Sequence, residues 1–560
     1  MKKLLYTTPL LVALSCLAAA APCQTGPSFT PRAVAQPGTQ FSLPALLAAQ
    51  AQQIRLLTAR VAGLQGATPS APASVAFGQP IANRTGGLAV CHVQLSSRAW
   101  ANGSQDGYLA KITKQRDMGF DAASLDDGAN TPEYLQNRTR YYAACDQFNA
   151  TNQGAVNRWG VGDFKLFETI DLATFPYTSL DVLSVLTPVL KDPANLLFQG
   201  KPVYSTYAGG KFGTQANLKA FWVGVNTSLR AQGITPCFIP GFETTDASCN
   251  RIPNTPANCA AMATYLKTFA DGWWQYTVGS PLTQDSSLPT DEVRNAAAAN
   301  AGLIVMTSQI GEYWAMRHSQ ATDGTARFYQ EYYGGEGIAA DWKSVLARPL
   351  PLLSQAPTGR PQIVQFLTWD DYDEGSNIDD HDVGPGSAWP YLFRSFVPGY
   401  YLSKAGKVAE WQLGLHEYKS GLPPKFTHDT LIVFYRTQTK TCVLGTTLAG
   451  ARIDPIGPVT YVSAENGPSD TATGPGFEDI ACITCAFSQS QTVTWTIGAK
   501  SWVRSVPAGV THLRVPFTAG QPTLTAVALN GGSFSVPNLA PIVDHADYAN
   551  ANVFSATANY

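Results

Sequence analysis

At 560 residues the chain is too long for one ordinary core, and at least two domains are expected. Charged residues are only 14% of it and the formal net charge is -2, well under the roughly one quarter charged that is typical of soluble chains. No polyanion is implied, so a nucleic-acid partner drops out. Aromatics reach 11%, with 12 Trp and 23 Tyr, which fits stacking on sugar rings and equally fits an aromatic core.

In chain order, Lys2 and Lys3 precede an apolar run that ends in Ala18-Ala19-Ala20-Ala21. This is the three-part pattern of a secretory signal over residues 1–20, so an exported protein is expected, extracellular or periplasmic. Leu14-Ser15-Cys16 resembles a lipoprotein signal, but with Ala13 where a Leu is usual. No later segment offers about eighteen uninterrupted apolar residues, hence no membrane span is expected. Residues 21–40 and 67–87 are rich in Pro, Gly, Ser and Thr and read as linkers. Between them, over 41–66, Leu47, Gln50, Ile54, Leu57, Val61 and Leu64 follow the 3 and 4 alternation of a coiled-coil seam. Residues 43–66 are therefore the candidate for homo-oligomerisation. A lone amphipathic helix is the alternative, and Gln50 either fixes the register or marks a seam that starts at Ile54.

From Leu88 onward apolar strand-like runs alternate with helical patterns: LAVCHVQL, FDAASL, FKLFETI, VYSTY, TPCFI, DGWWQY, LIVMTS and QIVQFLT. Eight such alternations predict a (β/α)8 TIM barrel over 88–420, with its active site at the C-terminal ends of the strands. After Pro423-Pro424 short runs rich in Val, Thr and aromatics predict an all-β sandwich over 421–560. Ten cysteines, nine without Cys16, are expected to form disulfides rather than a zinc site. The lone CxxC at Cys482 and Cys485 lacks the second pair that zinc needs. Neither the pairing nor the role of the β domain is legible.

The barrel rule nominates strand-end residues as substrate contacts: His92, Asp126, Asp127, Asp171, Tyr207, Trp274, Tyr313 and Trp314, with Glu243 and Asp246 weaker. Each has a plainer reading. His92 sits in an apolar strand, where a hydrogen-bonded core imidazole is common. Asp126 and Asp127 stand near a helix start that either could cap. Trp273 and Trp274 must point to opposite faces of a strand, so at most one lies in the cleft.

Chemistry concentrates in QIVQFLTWDDYDEGSNIDDHD, residues 362–382. A short apolar strand delivers Trp369, Asp370, Asp371, Tyr372, Asp373 and Glu374 to one place, then Gly375. Two nearby carboxyls, one protonated and one ionised, are what glycosidic cleavage requires. An acidic surface loop and a calcium site are the alternatives. Counted from Asp371, Gly375 and Ser376 fall where an EF-hand wants a ligand and then the turn glycine, so that pattern fails. No metal and no cofactor are expected.

The stretch TWDDYDEG resembles the TWND(F/Y)GES signature of glycoside hydrolase family 71, the α-1,3-glucanases or mutanases. It is also similar to the NEWxEG signature of the family 99 endo-α-mannosidases. The resemblance covers about residues 86–440 and implies that Asp371 and Glu374 are the catalytic acids, Glu374 as proton donor and Asp371 as the base that activates water. It further implies a polysaccharide substrate, with Trp369 and Tyr372 beside the acids, and inversion of the anomeric centre. The chain departs from the family at Asp370 (Asn), Asp373 (Gly) and Gly375 (Ser), and Gly272-Trp273-Trp274-Gln275-Tyr276 lacks an acid of the WDAWP-like segment. An endo-α-mannosidase-like hydrolase and a non-catalytic glycan-binding or cell-surface scaffold are the rival readings.

Overall fold

The computed structural model describes residues 87–95, 104–128, 131–153, 155–172, 177–207, 212–274, 291–310, 313–315, 328–330, 335–346, 361–370, 377–379, 403–420, 428–444, 479–528, 531–546 and 553–560. The expected signal, linkers and coiled-coil helix lie outside them.

Among the described residues, eight parallel strands form the first half: β1 Leu88–Gln94, β2 Ala122–Asp127, β3 Lys165–Asp171, β4 Lys201–Tyr207, β5 Cys237–Gly241, β6 Gly272–Trp273, β7 Ile304–Ile310 and β8 Ile363–Leu367. Each falls on one of the apolar runs. Helices lie between them: α1 Gln105–Asp117, α2 Pro132–Thr151, α3 Ser179–Val189, α4 Gln215–Ala231, α5 Pro256–Leu266, α6 Asp291–Asn300 and α7 Gly335–Leu346, followed by α8 Ala405–Ser420. Ser104, Thr131, Thr178, Thr214 and Thr255 cap the first five, each side chain accepting a first-turn N–H. That satisfies donors which a helix start leaves unpaired.

Neighbours pair in the order β5-β4-β3-β2-β1-β8-β7-β6, all parallel. The two ends of this row also touch. Asp271 N–H donates to Phe238 O (2.9 Å), and Trp274 N–H donates to Pro240 O (3.0 Å). The result is a curled parallel sheet flanked by helices, compatible with a TIM-barrel-like fold. Strand alternation splits its residues between two cores. Ala89, Cys91 and Val93 face the helices, whereas Leu88 and Val90 join Val203, Ile239, Met306 and Ile363 on the inner face. Gly241 makes room inside: a Cβ there would lie 2.4 Å from the Trp274 ring.

The C-terminal part holds two antiparallel sheets. One runs β13-β10-β9-β16, with β9 Thr430–Arg436, β10 Ile480–Phe487, β13 Gly509–Pro516 and β16 Val553–Asn559. The other runs β12-β11-β14-β15, with β11 Gln491–Ile497, β12 Lys500–Val506, β14 Pro522–Ala528 and β15 Ser533–Ser535. Both give residues to one buried core, Val433, Tyr435 and Ile483 from the first, Val493, Trp495 and Leu524 from the second. The opposite face of the first sheet packs on α8, where Ile432, Phe434 and Val553 meet Ala409 and Leu413.

The expectation of disulfides named no pairs, and the two cysteines of the CxxC are not one. Cys482 and Cys485 sit three apart on a strand and therefore on opposite faces. Cys485 lies in the core between the sheets and Cys482 in the one against α8, so they do not bridge. Cys91, Cys145, Cys237, Cys249 and Cys485 are buried free thiols. No described helix is long and apolar enough to cross a membrane.

Candidate active site

The inner face of the sheet carries a polar cluster toward the strands' C-terminal ends. His92, on β1, is 2% exposed. Its Nδ1 lies 3.0 Å from Gln365 Nε2 on β8. An amide NH2 can only donate, so Nδ1 accepts and the imidazole proton sits on Nε2. Nε2 faces Asp126 Oδ2 on β2 at 3.4 Å. The other Asp126 oxygen, Oδ1, has no hydrogen-bond partner among the described residues, while the side chain as a whole keeps 20% exposure. Below them Ser124 Oγ and Thr169 Oγ1 pair at 2.6 Å. Asp171 and Tyr207 stand opposite each other at the ends of β3 and β4. Trp274 points inward as alternation allows, its Nε1 donating to Ser205 Oγ (2.7 Å) and its ring 6.1 Å from that of His92. It is fully buried, so it lines the floor of the cluster instead of offering a stacking face. Trp273 points outward and donates to Phe242 O (2.8 Å).

His92, Asp126, Asp171, Tyr207 and Trp274 are thus brought to one side of the sheet. Two expected substrate contacts are not. Asp127, one residue on from Asp126, turns to the helix side and forms a buried ion pair with Arg138 of α2, whose Nε also lies 3.7 Å from Glu168 on β3. Burial pushes the Glu168 carboxyl up to about 8, against the pull of Arg138. Trp369 is fully buried in the helix–sheet core, edge-on to Phe120 at 6.3 Å, with the Lys114 ammonium 6.0 Å from its ring. For Asp127 the alternation of the strand sets the face, which neighbouring Asp126 cannot share. Trp369 lies beyond the end of β8 at Leu367, and there the chain leaves the alternation that would have turned it inward with Leu367. Tyr313 and Trp314 lie on a strand, Tyr313–Ala315, that pairs antiparallel with Phe328–Gln330; their side chains are outside the described residues. Asp371, Tyr372 and Glu374 also lie outside them.

What the structure adds is the clamp at the base of that acidic segment. Asp370 is buried and ion-paired with Lys111 of α1, and it also accepts from Gln94 N–H (2.9 Å). Burial raises its pKa and Lys111 draws it back. On the returning side Ile378 N–H donates to Thr368 O and Asp379 N–H to Trp369 O, both 3.0 Å. Lys114, one turn from Lys111 on the same face of α1, pairs with buried Asp379. Lys407 of α8 donates to Asn377 O (2.8 Å). Residues 370 and 377 are therefore held from both sides. Sequence reasoning missed Lys111, although a signal existed: it sits among Tyr108, Ile112 and Gln115 on the buried face of α1, and a buried lysine requires a partner. Gln365 and Ser124 were missed because a neutral polar residue inside an apolar strand carries no charge pattern. Among the described residues no three His, Cys, Asp or Glu converge as a metal site would require.

A model of Glycosyl hydrolase family 71 matches residues 88–560. The Glucan endo-1,3-alpha-glucosidase agn1 of Schizosaccharomyces pombe is 23% identical over 408 residues, 70% of this chain and 80% of that protein. Among solved structures, a GH99 endo-alpha-mannosidase from Bacteroides thetaiotaomicron is similar over 60% of this chain and 98% of its own, with 12% identity and a TM-score of 0.40. An FMN-binding beta-glucuronidase from Facaelibacterium prausnitzii L2-6 is similar over 84% and 57%, with 10% identity and a TM-score of 0.38. Likenesses this loose say nothing about chemistry. The family match spans most of the chain, including the clamped segment and the polar inner face, and the chain belongs to glycosyl hydrolase family 71 and is a glycoside hydrolase.

Proposed function

We propose that the chain is an exported, inverting hydrolase of α-1,3-linked glucan, with Glu374 as proton donor and Asp371 as the base that activates water. The observation that carries this reading is the clamp. In sequence Asp371 follows buried Asp370 directly, and Glu374 precedes Asn377 by three residues, so both acids are tethered to a base fixed by Lys111, Lys114 and Lys407. Residues of that base adjoin β8, whose Gln365 bonds His92. Catalytic groups must be held to within fractions of an ångström, and a braced segment at a strand end meets that need. The curl of the sheet and the contacts between β5 and β6 support a complete (β/α)8 barrel, and the shared core of the C-terminal sheets supports a β-sandwich.

In this mechanism a glucosyl unit lies over the inner face. Asp126 accepts from a sugar hydroxyl, its carboxylate turned by the His92 Nε2 proton. Inversion requires a water between Asp371 and the anomeric carbon, which sets the two carboxyls about 6.5 to 9.5 Å apart. The S. pombe relative, an endo-1,3-alpha-glucosidase by name, supports the α-1,3 linkage. The test joins two measurements. Glu374→Gln should lower hydrolysis about a hundredfold or more while glycan binding persists. Proton NMR in the first minutes should show β-configured product from α-1,3-glucan. Cleavage of α-mannan in preference to α-glucan, or α-configured product, overturns the reading.

A further inference from the structure

The sheet β12-β11-β14-β15 has one face on the core and one in solvent, and the solvent face is unusual in composition. Its central strands present Thr492, Thr494 and Thr496 on β11 and Thr523, Thr525 and Val527 on β14. The flanking strands add Ser501, Val503 and Ser505 on β12 and Ser533 and Ser535 on β15. The register aligns them in rows across the sheet, Ser505-Thr492-Val527-Ser533 and Val503-Thr494-Thr525-Ser535. Nine of eleven positions are hydroxyls, two are valines and none is charged.

The solvent face of an antiparallel sheet ordinarily takes charged and mixed polar residues. Charges do exist on this sheet: Lys500 and Arg504 are exposed on edge strand β12. They stand opposite Ile497 and Val493, however, and so project on the other side. That is the usual protection of an edge against pairing. The outer face is left with none. Of its hydroxyls only Thr496 and Ser501 pair with each other, at 3.1 Å. The others have no protein partner among the described residues. Each is at once donor and acceptor, and strand geometry spaces them about 4.8 Å across the sheet and about 6.8 Å along it. A flat, neutral, two-way hydrogen-bonding lattice complements a neutral polyol surface; a charged or apolar partner would find no match on it.

We propose that this face docks the enzyme onto a neutral, insoluble polysaccharide, the substrate polymer on the reading above. Short β-branched side chains lose little rotamer freedom when a partner orders them, so many weak bonds add without a large entropic cost. The valines sit between hydroxyls as apolar contact for the C–H face of sugar rings.

Two full-length double variants test this. Thr494→Lys with Thr525→Glu sets opposite charges directly across the strands, which keeps the pairing favourable but covers the lattice. Thr494→Val with Thr525→Val keeps shape and strand propensity and removes only two hydroxyls. Co-sedimentation with insoluble α-1,3-glucan, cellulose and chitin reads binding, and cleavage of a soluble α-1,3-oligosaccharide reads the active site. Parent protein should sediment with the α-1,3-glucan. Binding to it should weaken at least tenfold in the charged pair and severalfold in the valine pair, with soluble turnover unchanged in both. A parent that does not sediment with the α-1,3-glucan, whether or not it takes cellulose or chitin, or a valine pair that sediments like the parent, overturns the proposal. Failure to cleave the soluble oligosaccharide would instead count against the α-1,3 assignment and leave the sedimentation result to judge the docking face.

Discussion

Replacing Glu168 by Gln isolates one buried titration. Glu168 lies fully buried on the helix side of β3, next to Arg138, which already pairs with Asp127. One guanidinium cannot compensate two carboxylates, and burial, the first cause, lifts Glu168 from 4.5 to about 8. The folded protein thus keeps a proton that the unfolded chain releases above about pH 4.5. Stability must fall as pH rises through this window and level off above the folded value. Holding one proton more than the unfolded chain changes stability by about 1.4 kcal/mol for each pH step of one. From pH 5 to pH 7.5 this group therefore removes at most about 3 kcal/mol, with coupling to Asp127 and Arg138 reducing the figure. Gln has the same shape and no proton to lose. Thermal melting at pH 5 and 7.5, at fixed ionic strength, should show a steeper decline for the parent than for Glu168→Gln, by several degrees. Equal declines in the two proteins would refute the assignment of a neutral Glu168.

Three further outcomes follow from other contacts. Lys111→Met should cost about 3 to 5 kcal/mol by stranding buried Asp370, and Asp370→Asn should cost less; the double variant should regain stability and most of the activity lost by Lys111→Met, measured as kcat and melting temperature. His512, on β13, has Nε2 3.0 Å from Glu410 of α8, with Glu336 also near; burial alone would lower its pKa, but the bond and charge of Glu410 raise it. Its contribution is complete below the unfolded value near 6.5 and is lost as pH rises through the folded one, so His512→Gln should flatten the melting profile between pH 6 and 8. Deleting residues 43–66 should convert an oligomer to monomers of unchanged activity on soluble substrate by light scattering, and a monomeric parent removes the self-association reading.

The strands were legible because burial on both faces writes itself as apolar runs: LAVCHVQ and IVQFL read as strands and are strands. The segment GW at 272–273 was caught only through its tryptophans, being two residues long. Which face each strand-end acid takes was less legible. Asp126 and Asp127 are identical by type, and the sequence offers no phase for the strand until its partner is known. Arg138 on α2 settles it by claiming Asp127 from outside, while His92 faces Asp126 from within. A carboxylate's role is written in its cation, and cations eleven or more residues away in sequence do not announce themselves.

Asp370 carries that point into the chemistry. From sequence it is one more negative charge beside the acid pair and should help keep Glu374 protonated. The structure gives it Lys111 at contact distance, with both side chains buried. A paired dipole falls off faster with distance than a lone charge, so the help Asp370 lends a neighbouring carboxyl is largely cancelled. On the proposed roles, keeping a proton on Glu374 then falls to the charges that the sequence sets beside it, Asp373 and Asp371. Where the family carries a neutral Asn, this chain has a charged pair that is nearly neutral overall, and what the substitution changes is the anchoring of the segment to α1. Accordingly Asp370→Asn alone should leave the pH profile of kcat unmoved on its alkaline limb, where the proton donor is lost, and alter kcat itself, through a looser base. A displaced limb with unchanged kcat would mean that Asp370 acts on the acid pair through charge after all.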